Sequence, residues 1–242
     1  MISVCIATYN GSLYIKEQLQ SLLLQLSISD EVLVADDGST DNTVDVINAI
    51  GDPRIRLIAA GGNLGVVKNF ERILLVAEGE YIFLCDQDDI WLPNKVTESI
   101  SLLKNGVTLV VTDCRVVDCD LNVINSSFFE LRKSGPGLFK NIWKNSYLGC
   151  CIAFNRILLA RALPFPANIP MHDIWLGCIA EVYGSVKFLP KQLSLYRRHT
   201  CAKTPTGSKS QYSFYMKLGF RLNLIICLFS RILNSLWVMS RR

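Results

Sequence analysis

An apolar run in this sequence ends in three aspartates, Asp86, Asp88 and Asp89, within the segment "YIFLCDQDDIWLP". Carboxylates crowded in this way repel one another, so the cluster requires a positive partner. Asp86 and Asp88 are two residues apart, and in an extended chain such side chains point to the same side. Two carboxylates aimed at one point suit Mg²⁺ or Mn²⁺, which keep coordination positions open for substrate phosphates. We therefore predict a divalent metal site at Asp86 and Asp88.

A second acidic segment, "ADDGSTDNT" (35–43), follows another apolar run. Gly38 suits a turn, and the Ser, Thr and Asp residues after it suit the start of a helix. A turn does not by itself call for Asp36 and Asp37, whose carboxylates can accept hydrogen bonds from a base N–H or ribose hydroxyls. The segment "ATYN" (7–10) adds hydroxyl and amide groups after the first apolar run. Neither a GxGxxG fingerprint nor a Walker loop is present.

The elements that must position these residues alternate in type along the first hundred residues. Apolar runs predict strands, and leucines at helical spacing predict helices between them. The predicted strands are 2–7, 31–36, 54–59 and 81–85, and the predicted helices are 12–26, 41–50, 66–78 and 93–104. This alternation predicts a doubly wound α/β sheet, mainly parallel, with ligands at the carboxyl ends of its strands.

The order loosens beyond residue 106. Further strands are predicted at 107–113, 149–155, 185–190 and 193–198, and further helices at 156–162 and 172–184. At 242 residues and 50% hydrophobic content, the chain is expected to form one sizeable globular domain.

The number and spacing of the cysteines argue against a zinc site and predict reduced thiols. Nine cysteines are scattered without a CxxC pair, and only two histidines are present, so a zinc site of the usual spacing is not expected. The odd cysteine count and the absence of a visible export signal predict reduced thiols in the cytosol.

Charge is distributed unevenly along the chain. Residues 1–181 contain 14 Lys and Arg against 21 Asp and Glu, whereas residues 182–242 contain 11 Lys and Arg and no acid. An acidic body with a basic end indicates that the end meets a polyanionic surface, with a solvated tail as the alternative.

The basic end also contains an apolar stripe at helical spacing. Its members are Phe214, Leu218, Leu222, Ile225, Phe229, Ile232 and Leu236, widened by Leu233 and Trp237. We expect a helix lying in a membrane interface, with this stripe among acyl chains and Lys217, Arg221 and Arg231 toward anionic lipid. The alternative is a helix packed on the body or in an oligomer contact.

Taken jointly, these segments resemble the family 2 glycosyltransferases over residues 1–200. The match includes "ATYN", "ADDGSTDNT", "GNLGVVKNFERIL" and "DQDDIWLPNK" in the family's order and spacing. "LGCCIAFNR", "MHDIWL" and "LSLYRRH" are similar to the bacterial subgroup that assembles O-antigen and other surface polysaccharides. The resemblance implies a GT-A fold with a nucleotide-binding half (1–105) and an acceptor-binding half (106–204), followed by the basic tail (205–242).

The resemblance also implies roles for individual residues. Asp173 falls where the family places its general base, and Asp86 and Asp88 occupy the DxD metal motif. The residues implied in nucleotide binding are Thr8, Tyr9, Asn10, Asp36, Asp37, Lys68 and Asp86. The candidates for contact with the diphosphate or the acceptor are His172, Arg197, Arg198 and His199. Many relatives have "ED" where this chain has "HD", and the "QxxRW" of processive members is absent, which favours a single transfer.

The implied activity is an inverting, Mn²⁺- or Mg²⁺-dependent hexosyltransferase. Its donor would be UDP-glucose or UDP-galactose, or next dTDP-rhamnose, and its acceptor an undecaprenyl-diphosphate-linked saccharide. The implied location is peripheral, at the cytoplasmic face of the inner membrane and its anionic surface, with no nucleic acid as partner. Two alternatives stay open: an inactive nucleotide-sugar-binding protein, and a response-regulator receiver, which would leave everything after residue 120 unexplained.

Overall fold

The computed structural model describes residues 1–58, 62–198 and 213–239, without the side chains of Phe214 and residues 236–239. One sheet runs through this part of the protein. Its strands are β1 (Ile2–Thr8), β2 (Glu31–Asp36), β3 (Ile55–Ile58), β4 (Tyr81–Asp86), β5 (Ile90–Trp91), β6 (Leu109–Val117), β7 (Val123–Asn125), β8 (Ile152–Asn155) and β9 (Val186–Arg197). The helices are α1 (Ile15–Leu23), α2 (Thr43–Asn48), α3 (Val66–Val76), α4 (Lys95–Lys104), α5 (Phe128–Arg132), α6 (Leu138–Trp143), α7 (Ile157–Ala162), α8 (His172–Tyr183) and α9 (Phe214–Met239).

The first four strands are parallel and lie in the order β3-β2-β1-β4. Their register brings the ends of three strands together, because Thr8 pairs with Asp36 and Ala7 pairs with Asp86. The polar residues that follow β1, β2 and β4 therefore meet at one edge of the sheet, as predicted from the sequence.

Helices cover both faces of the sheet. Side chains alternate between the two faces of a strand, so Cys5 of β1 packs in the layer that contains α3 and α8, and Val4 packs in the layer that contains α1 and α4. The predicted doubly wound α/β architecture is confirmed.

The second half extends the same sheet with mixed strand directions. β8 is antiparallel to both β4 and β6, and β9 is parallel to β6. The sequence predicted two strands at 185–190 and 193–198, but the structure has one strand, Val186–Arg197, with register shifts opposite Asp113. This long strand matters for function because it pairs with β5 and so returns the chain to the acidic segment after β4.

α9 packs on the body through its basic side. Leu224 and Leu228 are buried, and Arg221 donates to the carbonyl of Trp143 and lies 4.0 Å from the centre of that ring. Arg231 donates to the carbonyls of Arg161, Leu163 and Pro164. The expectation that these two arginines point toward lipid is therefore wrong, because both guanidinium groups donate to backbone carbonyls of the body.

The opposite side of α9 is exposed and apolar. It carries Leu218, Leu222, Ile225, Ile226, Phe229 and Leu233. The described members of the predicted stripe thus face away from the body, with Ile232 partly buried, and the side chains of Phe214, Leu236 and Trp237 lie outside the described residues. Among the described helices, none combines the length and the apolar character needed to cross a bilayer. Lys203, Lys209, Arg241 and Arg242 lie outside the described residues.

Candidate active site

The acidic segment at the end of β4 is partly buried, and its carboxylates repel one another. Burial, followed by the charges of Asp88 and Asp173, raises the pKa of Asp86 to about 7. Burial, followed by the charges of Asp88 and Asp86, raises the pKa of Asp89 well above its usual range. The ionised form of this cluster therefore requires a positive ligand.

The structure brings two further side chains, those of Asp89 and Cys150, close to Asp86. A carboxylate oxygen of Asp86, one of Asp89 and the Sγ of Cys150 all lie within 4.8 Å of one another. Asp89 is only 2% exposed; its Oδ1 accepts a hydrogen bond of 3.1 Å from the backbone N–H of Arg197, and its Oδ2 has no hydrogen-bond partner within the described ranges. A buried carboxylate oxygen without a partner fits a divalent cation at this place. The predicted pair of metal ligands, Asp86 and Asp88, stays a prediction.

Arg197 fastens the acidic segment to the rest of the sheet edge. Its side chain is 4% exposed, its Nε donates to the Asp88 carbonyl at 2.9 Å, and its guanidinium also bonds the Cys119 carbonyl at 2.8 Å and the Glu17 carboxylate at 2.5 Å. The same group lies 4.6 Å from the centre of the Tyr14 ring. The sequence suggested a diphosphate contact for Arg197. In the structure its guanidinium instead holds together the segments of Glu17, Asp88 and Cys119, and a bound diphosphate would compete with these bonds.

The two residues that follow Arg197, Arg198 and His199, were also candidates for contact with the diphosphate or the acceptor. The backbone N–H of Arg198 donates to the carbonyl of Val117 at 2.8 Å. His199 lies outside the described residues.

Gln87 joins the ends of β1 and β4, a role that the sequence analysis missed. Its Oε1 accepts hydrogen bonds from the Thr8 hydroxyl at 2.6 Å and from the Tyr9 N–H at 2.9 Å. Its Nε2 donates to the Tyr9 carbonyl at 3.2 Å. A Cβ on Gly11 would lie 2.4 Å from the Gln87 Oε1, so this approach depends on glycine. Thr8 and Tyr9 are thereby held at the expected edge.

Asp36 closes the turn that follows β2. Its Oδ2 accepts from the backbone N–H groups of Gly38 at 3.0 Å and Ser39 at 2.8 Å. The turn therefore does use this carboxylate, contrary to the sequence analysis. Asn10 joins the turn from β1, because its Oδ1 accepts from the Thr40 N–H at 2.8 Å.

Asp37 organises the start of α3. It is buried, and its two oxygens accept the backbone N–H groups of Leu64 at 2.8 Å and Gly65 at 2.9 Å. Lys68, in the first turn of α3, forms an ion pair of 2.6 Å with Glu71 and is half exposed. The structure thus places Asp37 and Lys68 around the same loop.

Asp173 lies in the first turn of α8, where burial raises its pKa to about 6. Its Oδ1 accepts the Ile174 N–H at 2.6 Å, and a side-chain hydrogen bond with Asn145 acts against the rise. The charge of Asp173 raises the pKa of Asp86, so α8 brings this carboxylate to the acidic segment of β4. Asp173 is not the N-cap residue of α8. That position belongs to Met171, which makes no side-chain capping hydrogen bond.

His172 is buried in an apolar position beside Asp173. Its ring stacks on Phe70 with 4.0 Å between centroids, and burial lowers its pKa to about 3, so it is neutral. Neither ring nitrogen has a hydrogen-bond partner in the part of the chain that the structure describes. A Cβ on Gly149 would lie 3.0 Å from its Nε2, so glycine permits α8 to approach here.

A buried lysine completes the site and was not identified from sequence. Lys95 is fully buried, and its Nζ donates to the Cys150 carbonyl at 2.8 Å and to the Ser194 hydroxyl at 2.6 Å. It also lies 5.0 Å from the centre of the Trp91 ring. The only local signal was its place two residues after a proline in "LPNK", which gives no indication of burial.

The chain is similar in sequence to a known protein family and to individual proteins. The family model described as "Glycosyl transferase family 2" matches residues 3–163. The UDP-Glc:α-D-GlcNAc-diphosphoundecaprenol β-1,3-glucosyltransferase WfgD of Escherichia coli is 28% identical over 187 residues, which is 75% of this chain and 70% of WfgD.

Solved structures share the fold. Staphylococcus aureus TarS 1–349 in complex with UDP-GlcNAc superposes with a TM-score of 0.70 at 21% identity, over 93% of this chain and 66% of that one. The mannosyltransferase PcManGT of Pyrobaculum calidifontis in complex with GDP-Man and Mn²⁺ gives 0.63 at 21% identity, over 85% and 58%. The present chain thus spans about two thirds of these proteins, and the expected GT-A fold is confirmed.

Proposed function

The chain belongs to glycosyl transferase family 2, and from this premise we propose that it transfers one hexose from a nucleotide-diphosphate sugar to a hydroxyl of a lipid-linked saccharide. The observation that carries the proposal is the position of Asp173 beside the acidic segment: a Cβ on Gly149 would lie 3.8 Å from the Asp173 Cβ, and the next residue, Cys150, directs its sulfur to Asp86 and Asp89. WfgD supports the substrates, because its name pairs a UDP-Glc donor with a diphosphoundecaprenol-linked acceptor. We place UDP-glucose and UDP-galactose first as donors and dTDP-rhamnose next, in O-antigen or other surface-polysaccharide synthesis.

Asp173 acts as the general base in this proposal. A carboxylate with a pKa of about 6 is mostly ionised at neutral pH and is more basic than an exposed aspartate. It takes the proton from the acceptor hydroxyl while that oxygen attacks C1 of the donor sugar from the face opposite the leaving diphosphate. The attack inverts the configuration at C1. A general base of this kind contributes about 10²–10⁴-fold to the rate.

The acidic segment holds the divalent cation, Mn²⁺ or Mg²⁺. Asp86 and Asp88 are the proposed ligands, and the buried unpartnered oxygen of Asp89 supports a cation here. When bound, the cation supplies Lewis-acid stabilisation of the charge that grows on the diphosphate. The Mn²⁺ complex of PcManGT, which has the same fold, supports Mn²⁺ as the first choice.

The nucleotide lies along the edge formed by Thr8, Tyr9, Asn10, Asp36 and Asp37. Asp36 already accepts two backbone N–H groups at Oδ2 and the Ser39 hydroxyl at Oδ1, and Asp37 accepts one backbone N–H at each oxygen. Each carboxylate oxygen accepts two hydrogen bonds, so lone pairs remain for a base N–H or ribose hydroxyls. This arrangement orients both carboxylates before the donor binds.

We place the protein peripherally at the cytoplasmic face of the inner membrane, with the exposed side of α9 in the interface. Phe229 and Ile226 on this side are 62% and 64% exposed. Trp143 of α6, against which Arg221 packs, is also largely exposed, and tryptophan favours the membrane–water boundary. Since Arg221 and Arg231 face the body, apolar contact and not their charge carries the binding. Docking would confine the enzyme to the plane of its acceptor.

A transfer assay tests the proposal. The protein is incubated with Mn²⁺, an undecaprenyl-diphosphate-linked saccharide and each labelled donor in turn, with Asp173→Asn as the matched control. We expect one labelled product from one preferred donor and at least ~10²-fold less from the control. Donor binding without any product, from every donor of the panel, would instead identify an inactive nucleotide-sugar-binding protein.

A further inference from the structure

Cys150 occupies a position that is unusually well fixed for a cysteine beside carboxylates. It lies in a 3₁₀ turn, Gly149–Cys151, immediately before β8. The buried ammonium of Lys95 donates to its carbonyl at 2.8 Å, and the Cys151 N–H closes the turn on the Leu148 carbonyl at 2.9 Å. With the backbone held in this way, the Cys150 side chain is 1% exposed and its sulfur is directed to the acidic cluster.

The three donor atoms are grouped closely enough for one ion. Oxygens of Asp86 and Asp89 and the Cys150 Sγ lie within 4.8 Å of one another. Metal bonds to oxygen and sulfur are ~2.0–2.3 Å long, so small side-chain adjustments bring all three onto one cation. A second observation points to such an ion: no N–H or O–H of the described chain donates to the buried Asp89 Oδ2, and the side chain that interacts with this carboxyl group is the Cys150 thiol. Leaving a buried carboxylate oxygen unpaired is costly unless a ligand completes it.

We propose that Cys150 is a protein ligand of the divalent cation, and that Cys150 and Asp89 add to Asp86 and Asp88 of the proposed function, so that the site has mixed oxygen and sulfur donors. This inference rests on the proposed function, because it concerns the cation that the transfer requires. Magnesium takes oxygen ligands almost exclusively, whereas thiolate sulfur favours softer ions. The site therefore binds Cd²⁺ and Zn²⁺ more tightly than Mn²⁺, and Mn²⁺ more tightly than Mg²⁺. Zinc should therefore compete with Mn²⁺ for this site.

Sequence spacing gave no indication of such a site. Cys150 is far from Asp86 in the chain and belongs to no CxxC pair, so the cysteine pattern argued against thiophilic metals. Pairing of β4 with β8 brings the two segments together, since Tyr81 lies opposite Asn155 and the chain preceding β8 continues toward the end of β4.

Metal binding to the full chain, measured without any donor or acceptor, tests the proposal. The probes are Cd²⁺, followed by the ultraviolet charge-transfer absorbance of a cadmium–thiolate bond, and Mn²⁺, followed by the electron paramagnetic resonance of the free ion. The variants are Cys150→Ala and the nearly isosteric Cys150→Ser, with Cys5→Ala as a matched control at another fully buried cysteine. All are made in a Cys119→Ala background, which removes an exposed thiol.

We expect both Cys150 variants to bind Cd²⁺ at least ~10-fold more weakly, the least that loss of a supporting group around a metal usually costs. The charge-transfer absorbance should fall by the contribution of one cadmium–thiolate bond, and the affinity for Mg²⁺ should change far less. The Cys5→Ala variant should bind Cd²⁺ as tightly as the background protein does. Equal Cd²⁺ affinity in Cys150→Ser and the background, or equal losses in Cys150→Ser and Cys5→Ala, would overturn the proposal. If the wild type transfers sugar with Mn²⁺ but the Cys150 variants bind Cd²⁺ unchanged, only the sulfur ligand is rejected. If Cd²⁺ binds through Cys150 but the wild type transfers sugar from none of the donors, only the proposed function is rejected.

Discussion

The carboxyl group of Asp173 lies close enough to Asp86 for its negative charge to raise the pKa of Asp86. These residues stand at the start of α8 and the end of β4, and Gly149 lies between the two elements. A Cβ on Gly149 would lie 3.0 Å from the His172 Nε2 and 3.8 Å from the Asp173 Cβ, so a larger residue would require the His172 ring to shift by a few tenths of an ångström. Glycine at this position therefore helps to keep the proposed base close to the proposed metal ligand.

Asp173→Asn should abolish most activity while leaving the protein at least as stable. The side chain keeps its shape but loses the ability to accept a proton, so turnover should fall ~10²-fold or more with donor affinity preserved. Steady-state kinetics and donor binding measure the two effects. A loss of thermal stability large enough to explain the loss of turnover would show that Asp173 acts structurally.

The stability of wild-type protein should depend on pH through the same residue. Burial raises the pKa of Asp173 from 3.8 to about 6, so the folded state binds its proton more tightly than the unfolded state. This contribution is fully present below pH ~4 and is lost as the pH rises through about 6, by an amount on the order of 1–3 kcal/mol. Asp173→Asn should remove that pH dependence, which urea unfolding at pH 5 and pH 7.5 measures. An unchanged difference between the two pH values would contradict the assignment.

The rate should depend on pH in the opposite sense. A base must be ionised, so kcat/KM should rise tenfold per unit up to about pH 6 and level off above it. The profile is measured with saturating Mn²⁺, and the residual activity of Asp173→Asn serves as the control. A wild-type profile that is flat between pH 5 and pH 7 would exclude Asp173 as the base.

Asp88→Asn should abolish activity and weaken Mn²⁺-dependent nucleotide binding without unfolding the protein. Asp88 is partly exposed, and its backbone carbonyl, not its side chain, accepts the bond from Arg197. Calorimetry of nucleotide binding with and without Mn²⁺ separates the metal-dependent part. Full activity of the variant with saturating donor, or of the wild type in EDTA, would refute the metal role.

Arg197→Ala should destabilise the protein by about 2–4 kcal/mol, because it leaves the carbonyls of Asp88 and Cys119 without their charged donor. Arg197→Lys should recover only part of this, since an ammonium lacks the planar fork of donors. Glu17→Gln, the matched control on a half-exposed partner, should cost less than about 1 kcal/mol. Denaturant unfolding compares the three. If Arg197→Ala is as stable as the wild type but loses donor affinity, the diphosphate role is the correct one.

Substituting the exposed side of α9 should release the protein from vesicles. Ile226→Glu with Phe229→Glu removes apolar contact with lipid but preserves the packing of Leu224 and Leu228, so stability should change by less than about 1 kcal/mol. Arg221→Gln, the control on the body side, should keep vesicle binding. Sedimentation with vesicles of inner-membrane lipid composition measures this. Release by Arg221→Gln but not by the double substitution would show that charge carries the binding.

The sequence by itself determined the alternation of strands and helices and the meeting of polar residues at the strand ends. β2 was predicted at its observed bounds, and the ends of β1 and β4 within one residue. These features are local, because apolar periodicity and turn residues depend on neighbours in the chain. The apolar stripe of α9 was predicted for the same reason.

Tertiary structure decided which groups meet. β5 is two residues long and exists through its pairing with β9, so no local pattern indicates it. The burial of Lys95, the approach of Cys150 to Asp89 and the engagement of Arg197 all join residues distant in sequence. The orientation of α9 followed the same rule: periodicity defined its two sides. The backbone carbonyls of Trp143 and Leu163, which accept from Arg221 and Arg231, decided which side packs on the body.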